Sequence, residues 1–123
     1  MSAIDDGSRL RHIVDACQEA LSFIEGCDRA DLGSNRMLAL SLVKELEIIG
    51  EAVNNLSPEC QARYPQVPWR SIVGMRNRLI HVYFGIDYDV VWQTVTESLP
   101  RLLLEVEAII QAEAGLKERE EGG

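Results

Sequence analysis

The chain is poor in the features that build disulfide frameworks, membrane spans or surfaces that coat polyanions. Its three cysteines, Cys17, Cys27 and Cys60, form an odd set with no CxxC or paired-histidine spacing, so neither a disulfide scaffold nor a zinc site is expected. No apolar run approaches the roughly eighteen residues of a membrane helix, and Met1 to Arg11 lacks the basic-then-apolar order of a secretory signal. These absences predict a cytoplasmic protein with reduced thiols, no resident metal and no cofactor. Basic residues are also scarce: 12 Lys and Arg against 20 Asp and Glu leave a net charge of −8. Bulk electrostatics therefore oppose binding to nucleic acid or an anionic membrane, and any anion site must be local. Glycine (9) and proline (4) are few among 123 residues, while 46% are hydrophobic. That is enough for one core in one domain.

The charge is uneven. Residues 60–86 contain no Asp or Glu, yet Arg63, Arg70, Arg76 and Arg78 all fall there. An acid-free window in an acidic chain is a candidate anion site.

Helical periodicity runs through almost the whole sequence, with no convincing alternating strand. Leu10, Ile13, Val14, Cys17, Leu21 and Ile24 predict a first helix over 8–24, stopping near Gly26. Residues 27–34 read as a loop. Ser34 or Asn35 can cap a second helix whose apolar stripe runs from Leu38 to Leu56. Leu40, Val43, Ile48 and Ala52 widen that stripe, as expected of a central helix or one that also meets another subunit. Gly50 within it suggests a close crossing. Ser57-Pro58 predicts a short helical turn over 58–63, ended by Pro65. A third helix is expected from Trp69 to Phe84 with Gly85 as its stop, and a last one from Tyr88 through Ile110 with Asp87 as cap. Pro100 should kink or split the last helix, with Ser98 available to cap the second piece. The predicted fold is all-α: an up-down bundle of four main helices plus one short turn over 1–115, followed by a frayed charged tail at 116–123.

The residues suited to chemistry cluster in the predicted third helix. At about 100° per residue, Ile72, Met75, Leu79 and Val82 would face the core, while Arg76, Asn77, His81 and Tyr83 would share the opposite arc. A guanidinium and an imidazole converging on one ligand suit a phosphate. In RNA cleavage by internal transfer, a histidine can move the proton of the attacking 2′-hydroxyl while an arginine holds the phosphoryl oxygens. Arg76 and His81 are the candidate catalytic pair; Asn77 and Arg78 are candidate phosphate or RNA contacts. Glu51, charged on an apolar helix, reads either as a solvated edge residue or as a partner for Arg76 or Arg78, and is not counted among the catalytic candidates.

The run PWRSIVGMRNRLIHVYFG, Pro68 to Gly85, resembles the signature of the HepT-like toxins of the HEPN class, Arg-x4-His-x-Tyr, satisfied by Arg76, His81 and Tyr83. LEIIGEAVNNLSPE (46–59) and FGIDYDVVWQTV (84–95) extend the resemblance over nearly the whole chain. It implies a metal-independent endoribonuclease acting as a homodimer on RNA, with Arg76 and His81 catalytic. It also implies a partner, an MntA-type minimal nucleotidyltransferase antitoxin that neutralises the toxin by AMPylation of Tyr83. The alternative from a different class is a non-catalytic helical binding partner of such a nucleotidyltransferase. A pure scaffold has no chemical need for the imidazole.

Overall fold

The computed structural model describes residues 5–81 and 85–122, without the side chain of Glu121. Helix α1 spans Asp6–Phe23, and its first turn is capped by Asp5, whose carboxylate accepts from the Ser8 amide. Helix α3 spans Arg36–Asn54 with Asn35 as its cap. Between them the expected loop contains a six-residue helix, α2, Arg29–Ser34. Its cause is local: Asp28 and Asp31 form a reciprocal capping box that satisfies two amide donors at once. Ser57 caps α4, Pro58–Arg63, as its Ser-Pro sequence predicts.

Helices α1, α3 and the C-terminal helix α8 (Leu99–Gly122) form the centre of an all-α bundle, with α1 packed on both of the others. Leu10, Ile13, Leu42, Leu46, Ile49, Val53, Val106 and Ile109 are buried between them. Helix α5, Trp69–Gly74, lies across α3. A Cβ added at Gly50 would sit 3.6 Å from the Ile72 carbonyl oxygen, which locates the crossing.

One expectation for the second half fails. The third helix does not reach Phe84. After α5, Met75 leads into a four-residue helix α6, Arg76–Leu79, and the backbone then turns extended at Ile80, φ −126° and ψ 124°. Ile80–His81 (β1) pairs antiparallel with Gly85–Ile86 (β2), Ile80 opposite Ile86 and His81 opposite Gly85. The physical reason is in the sequence: Ile-His-Val-Tyr-Phe is rich in β-branched and aromatic residues that prefer extended backbone, and Gly85 supplies φ +77°. The Asp87 amide donates to the Leu79 carbonyl at 2.7 Å, which stitches the end of α6 to the start of the next helix.

The last helix is interrupted directly ahead of Pro100, by a π turn rather than by a break between separate helices. Helix α7, Tyr88–Gln93, capped by Asp87, runs into a five-residue π turn, Thr94–Ser98, and on into α8 with helical backbone throughout. The wide turn immediately before Pro100 takes up the missing amide and the crowding of the pyrrolidine ring. The hydroxyls of Thr94 and Thr96 donate to the carbonyls of Val90 and Trp92 in the same stretch. Ser98 is part of the π turn and caps nothing. Helix α8 continues to Gly122, through the charged run for which the sequence predicts fraying.

The thiols of Cys17 and Cys60 are buried and free, and burial pushes them up to about 12 and about 11. Such groups stay protonated and unreactive at neutral pH.

Candidate functional site

The α5–α6 segment is a partition. Val73 and Arg76 face a cleft of about 610 Å³ whose other walls come from α1 and α3. Ser71, Met75 and Arg78 face a second cleft, about 810 Å³, walled by the π turn and the start of α8. Arg76 and Arg78 thus serve different spaces. The Arg78 guanidinium donates to the Ser71 carbonyl at 3.3 Å. Asn77, between them in sequence, is exposed.

The Arg76 side chain is 75% exposed and pairs with Glu47 at a long 3.4 Å. Glu51, which the sequence leaves as either a solvated edge residue or a partner of Arg76 or Arg78, is exposed and accepts from the Asn55 side-chain amide at 3.0 Å, while lining the same cleft as Arg76. The Gly50–Ile72 crossing explains why Glu47 meets Arg76. One turn back from Gly50 along α3 is Glu47, and one turn on from Ile72 is Arg76, so an antiparallel crossing sets those two opposite each other.

His81 lies on β1, exposed, rather than on a helix face. Four helical steps and one extended step still hold its Cα within about 10 Å of that of Arg76, close enough for both side chains to reach one ligand. Tyr83 lies outside the described residues, as do Val82 and Phe84. Helical-wheel angles therefore do not describe Ile80 and His81.

The four arginines of the acid-free window do not assemble. Arg63 is held by Glu113 through two hydrogen bonds of 3.1 and 2.7 Å, and the Tyr64 hydroxyl donates to the same carboxylate at 2.7 Å. Arg70 is exposed. The positive charge beside Arg76 comes from elsewhere in the sequence: Arg9 and His12 of α1 and Lys44 of α3 line the same cleft. Sequence reasoning took none of the three as a ligand, because their spacing carries no motif; Arg9 and His12 at i and i+3 on one helix face were the available signal. Among the described residues no three His, Cys, Asp or Glu side chains gather as metal ligands.

The sequence profile described as ribonuclease HepT-like matches residues 13–109, a span that holds α3, the partition and the Arg-x4-His-x-Tyr run. The chain belongs to the HepT-like family. Its relatives match along most of their length. A Caldanaerobacter subterraneus subsp. tengcongensis protein named as an RNase is 39% identical over 104 residues, covering 85% of the HepT-like chain and 93% of its own. A Methanocaldococcus jannaschii protein, also named as an RNase, is 37% identical over 109 residues, 89% of this chain and all of its own. A protein of Thermococcus cleftensis named as a ribonuclease HepT is 39% identical over 88 residues, 68% of this chain and 80% of its own. No solved structure matches the HepT-like chain. No helix among its described residues is long and apolar enough to cross a membrane.

Proposed function

We propose that this HepT-like protein is the toxin of a toxin–antitoxin pair, a metal-independent endoribonuclease. The observation that carries the reading is an exposed, loosely paired Arg76 five residues before an exposed His81, in a family described by its ribonuclease. In the reaction, the 2′-hydroxyl adjacent to the scissile phosphate loses its proton to His81 and attacks phosphorus. The P–O5′ bond breaks, the 5′-oxygen receives a proton, and a 2′,3′-cyclic phosphate remains. Arg76 holds the phosphoryl oxygens as negative charge builds on them, exchanging its 3.4 Å contact with Glu47 for shorter charge-assisted bonds. Asn77 and Arg78 contact flanking RNA. These groups supply proton transfer and charge stabilisation without a metal ion.

Tyr83 is the proposed acceptor of AMP from an MntA-type nucleotidyltransferase antitoxin. Each transfer adds a phosphodiester to the same Arg-x4-His-x-Tyr run, tethered so that it competes with RNA at high effective concentration. The working form is a homodimer. Exposed Met37 (80%) and Leu40 (46%) on the first half of α3 support it, since two large apolar side chains on one helix face invite a second copy.

The test is cleavage of RNA by purified protein in chelator. His81→Ala and Arg76→Ala should each lower the rate at least about a hundredfold with the fold intact, in line with the loss of a general acid–base or an oxyanion donor. Equal cleavage by wild type and His81→Ala rejects catalysis and leaves the binding-partner alternative. Intact mass after co-expression with the transferase reads the modification, which Tyr83→Phe should abolish.

A further inference from the structure

The cleft that presents Arg76 has more cationic equipment than one phosphate requires. Arg9 and His12 stand one turn apart on α1, Lys44 projects from α3 and Arg76 from α6, all around a single space of about 610 Å³. That volume suits an extended ligand rather than a lone phosphate group. The Arg9 Nε is buried with no hydrogen-bond partner. A desolvated guanidinium N–H without an acceptor is costly, and an anion in the cleft that draws the guanidinium outward relieves that cost. Among the described residues neither Arg9 nor Lys44 forms an ion pair with a carboxylate. The carboxylates of the cleft, Glu47 and Glu51, are engaged by Arg76 and Asn55. In a chain of net charge −8, attraction for RNA has to come from such a local set.

We propose that the cleft between α1 and α3 is the track of the RNA strand, with Arg9, His12 and Lys44 contacting the phosphates that flank the one held by Arg76. The proposal rests on the ribonuclease reading and extends it: the three residues bind substrate and take no part in proton transfer.

The experiment separates binding from cleavage. In the full-length His81→Ala protein, the affinity for a fluorescein-labelled single-stranded RNA is measured over a range of salt concentrations. Lys44→Gln and Arg9→Gln should each weaken binding roughly three- to tenfold at low salt, and each should flatten the slope of log K against log salt by about 0.7. Arg9→Lys should restore most of the loss. In protein with His81 intact, Lys44→Gln should raise KM and leave kcat unchanged. Lys44 is exposed, so its substitution reads the track even where Arg9 variants fold poorly. Unchanged affinity and slope in both Gln variants, with wild type still cleaving RNA, overturns the track and leaves the ribonuclease reading standing. Absence of cleavage by wild type, with the predicted losses of RNA binding, supports the track and removes the catalytic reading. Intact RNA binding with loss of the dimer or of transferase binding assigns the cleft to a protein and overturns the proposal.

Discussion

Glu45 is buried in the core, 4% exposed, with one carboxylate oxygen lacking a partner. Burial first, then a hydrogen bond with the Glu19 carboxyl and the Glu19 charge, push it up to about 7. The unfolded chain holds this proton only below the ordinary value near 4.5, so the stabilisation is complete below that pH and fades as pH rises through 7. Wild type should therefore lose on the order of 2 kcal/mol between pH 5 and 8 from this group. Glu45→Gln keeps the shape and removes the titration. Denaturant melts at both pH values should show the variant flat across the window and more stable than wild type at pH 8; parallel curves for the two proteins reject the assignment. At this same scale the sequence marked Arg76 and His81 but not Glu47, the carboxylate that meets the arginine. Which carboxylate meets Arg76 is fixed by where α3 crosses α5, a tertiary fact that no local pattern carries.

Helix starts were the most legible elements. Asn35, Ser57 and Asp87 each bond the amide that their residue type predicts, because an N-cap is decided within four residues. Departures came where two local preferences compete. Ile80 to Phe84 continues a helical stripe on paper, yet its β-branched and aromatic content favours extended backbone, and the pairing of His81 with Gly85 tips the balance. Pro100 breaks helices in isolation, but a π turn ahead of it lets the rod continue. The crossing at Gly50 is looser than a glycine in mid-helix suggests. An added methyl group would meet the Ile72 carbonyl at 3.6 Å, an ordinary contact, so Gly50→Ala should stabilise by about 0.5–1 kcal/mol through helix propensity. Thermal denaturation checks it, and a lower melting temperature would mean that α3 and α5 approach more tightly than this.

For the molecule as a whole, helical periodicity led to an all-α bundle, and the structure bears out the all-α fold. The acid-free window pointed to a local anion site, but its four arginines disperse to Glu113, to solvent and to two separate clefts. Charge counted along a chain says little about charge gathered in space. Surface composition makes one further prediction. If Met37 and Leu40 seal a dimer, Met37→Glu with Leu40→Glu should halve the mass measured by light scattering, and melting should lose its dependence on protein concentration. An unchanged mass moves the interface elsewhere. The partition formed by α5 and α6 also bears on inhibition. A small molecule wedged beside Arg78 would leave the Arg76 side open to RNA, yet it would lean on the same short strut that aims the guanidinium. Its effect would show as slower turnover that added substrate rescues only in part, since RNA must also displace the molecule from Arg78.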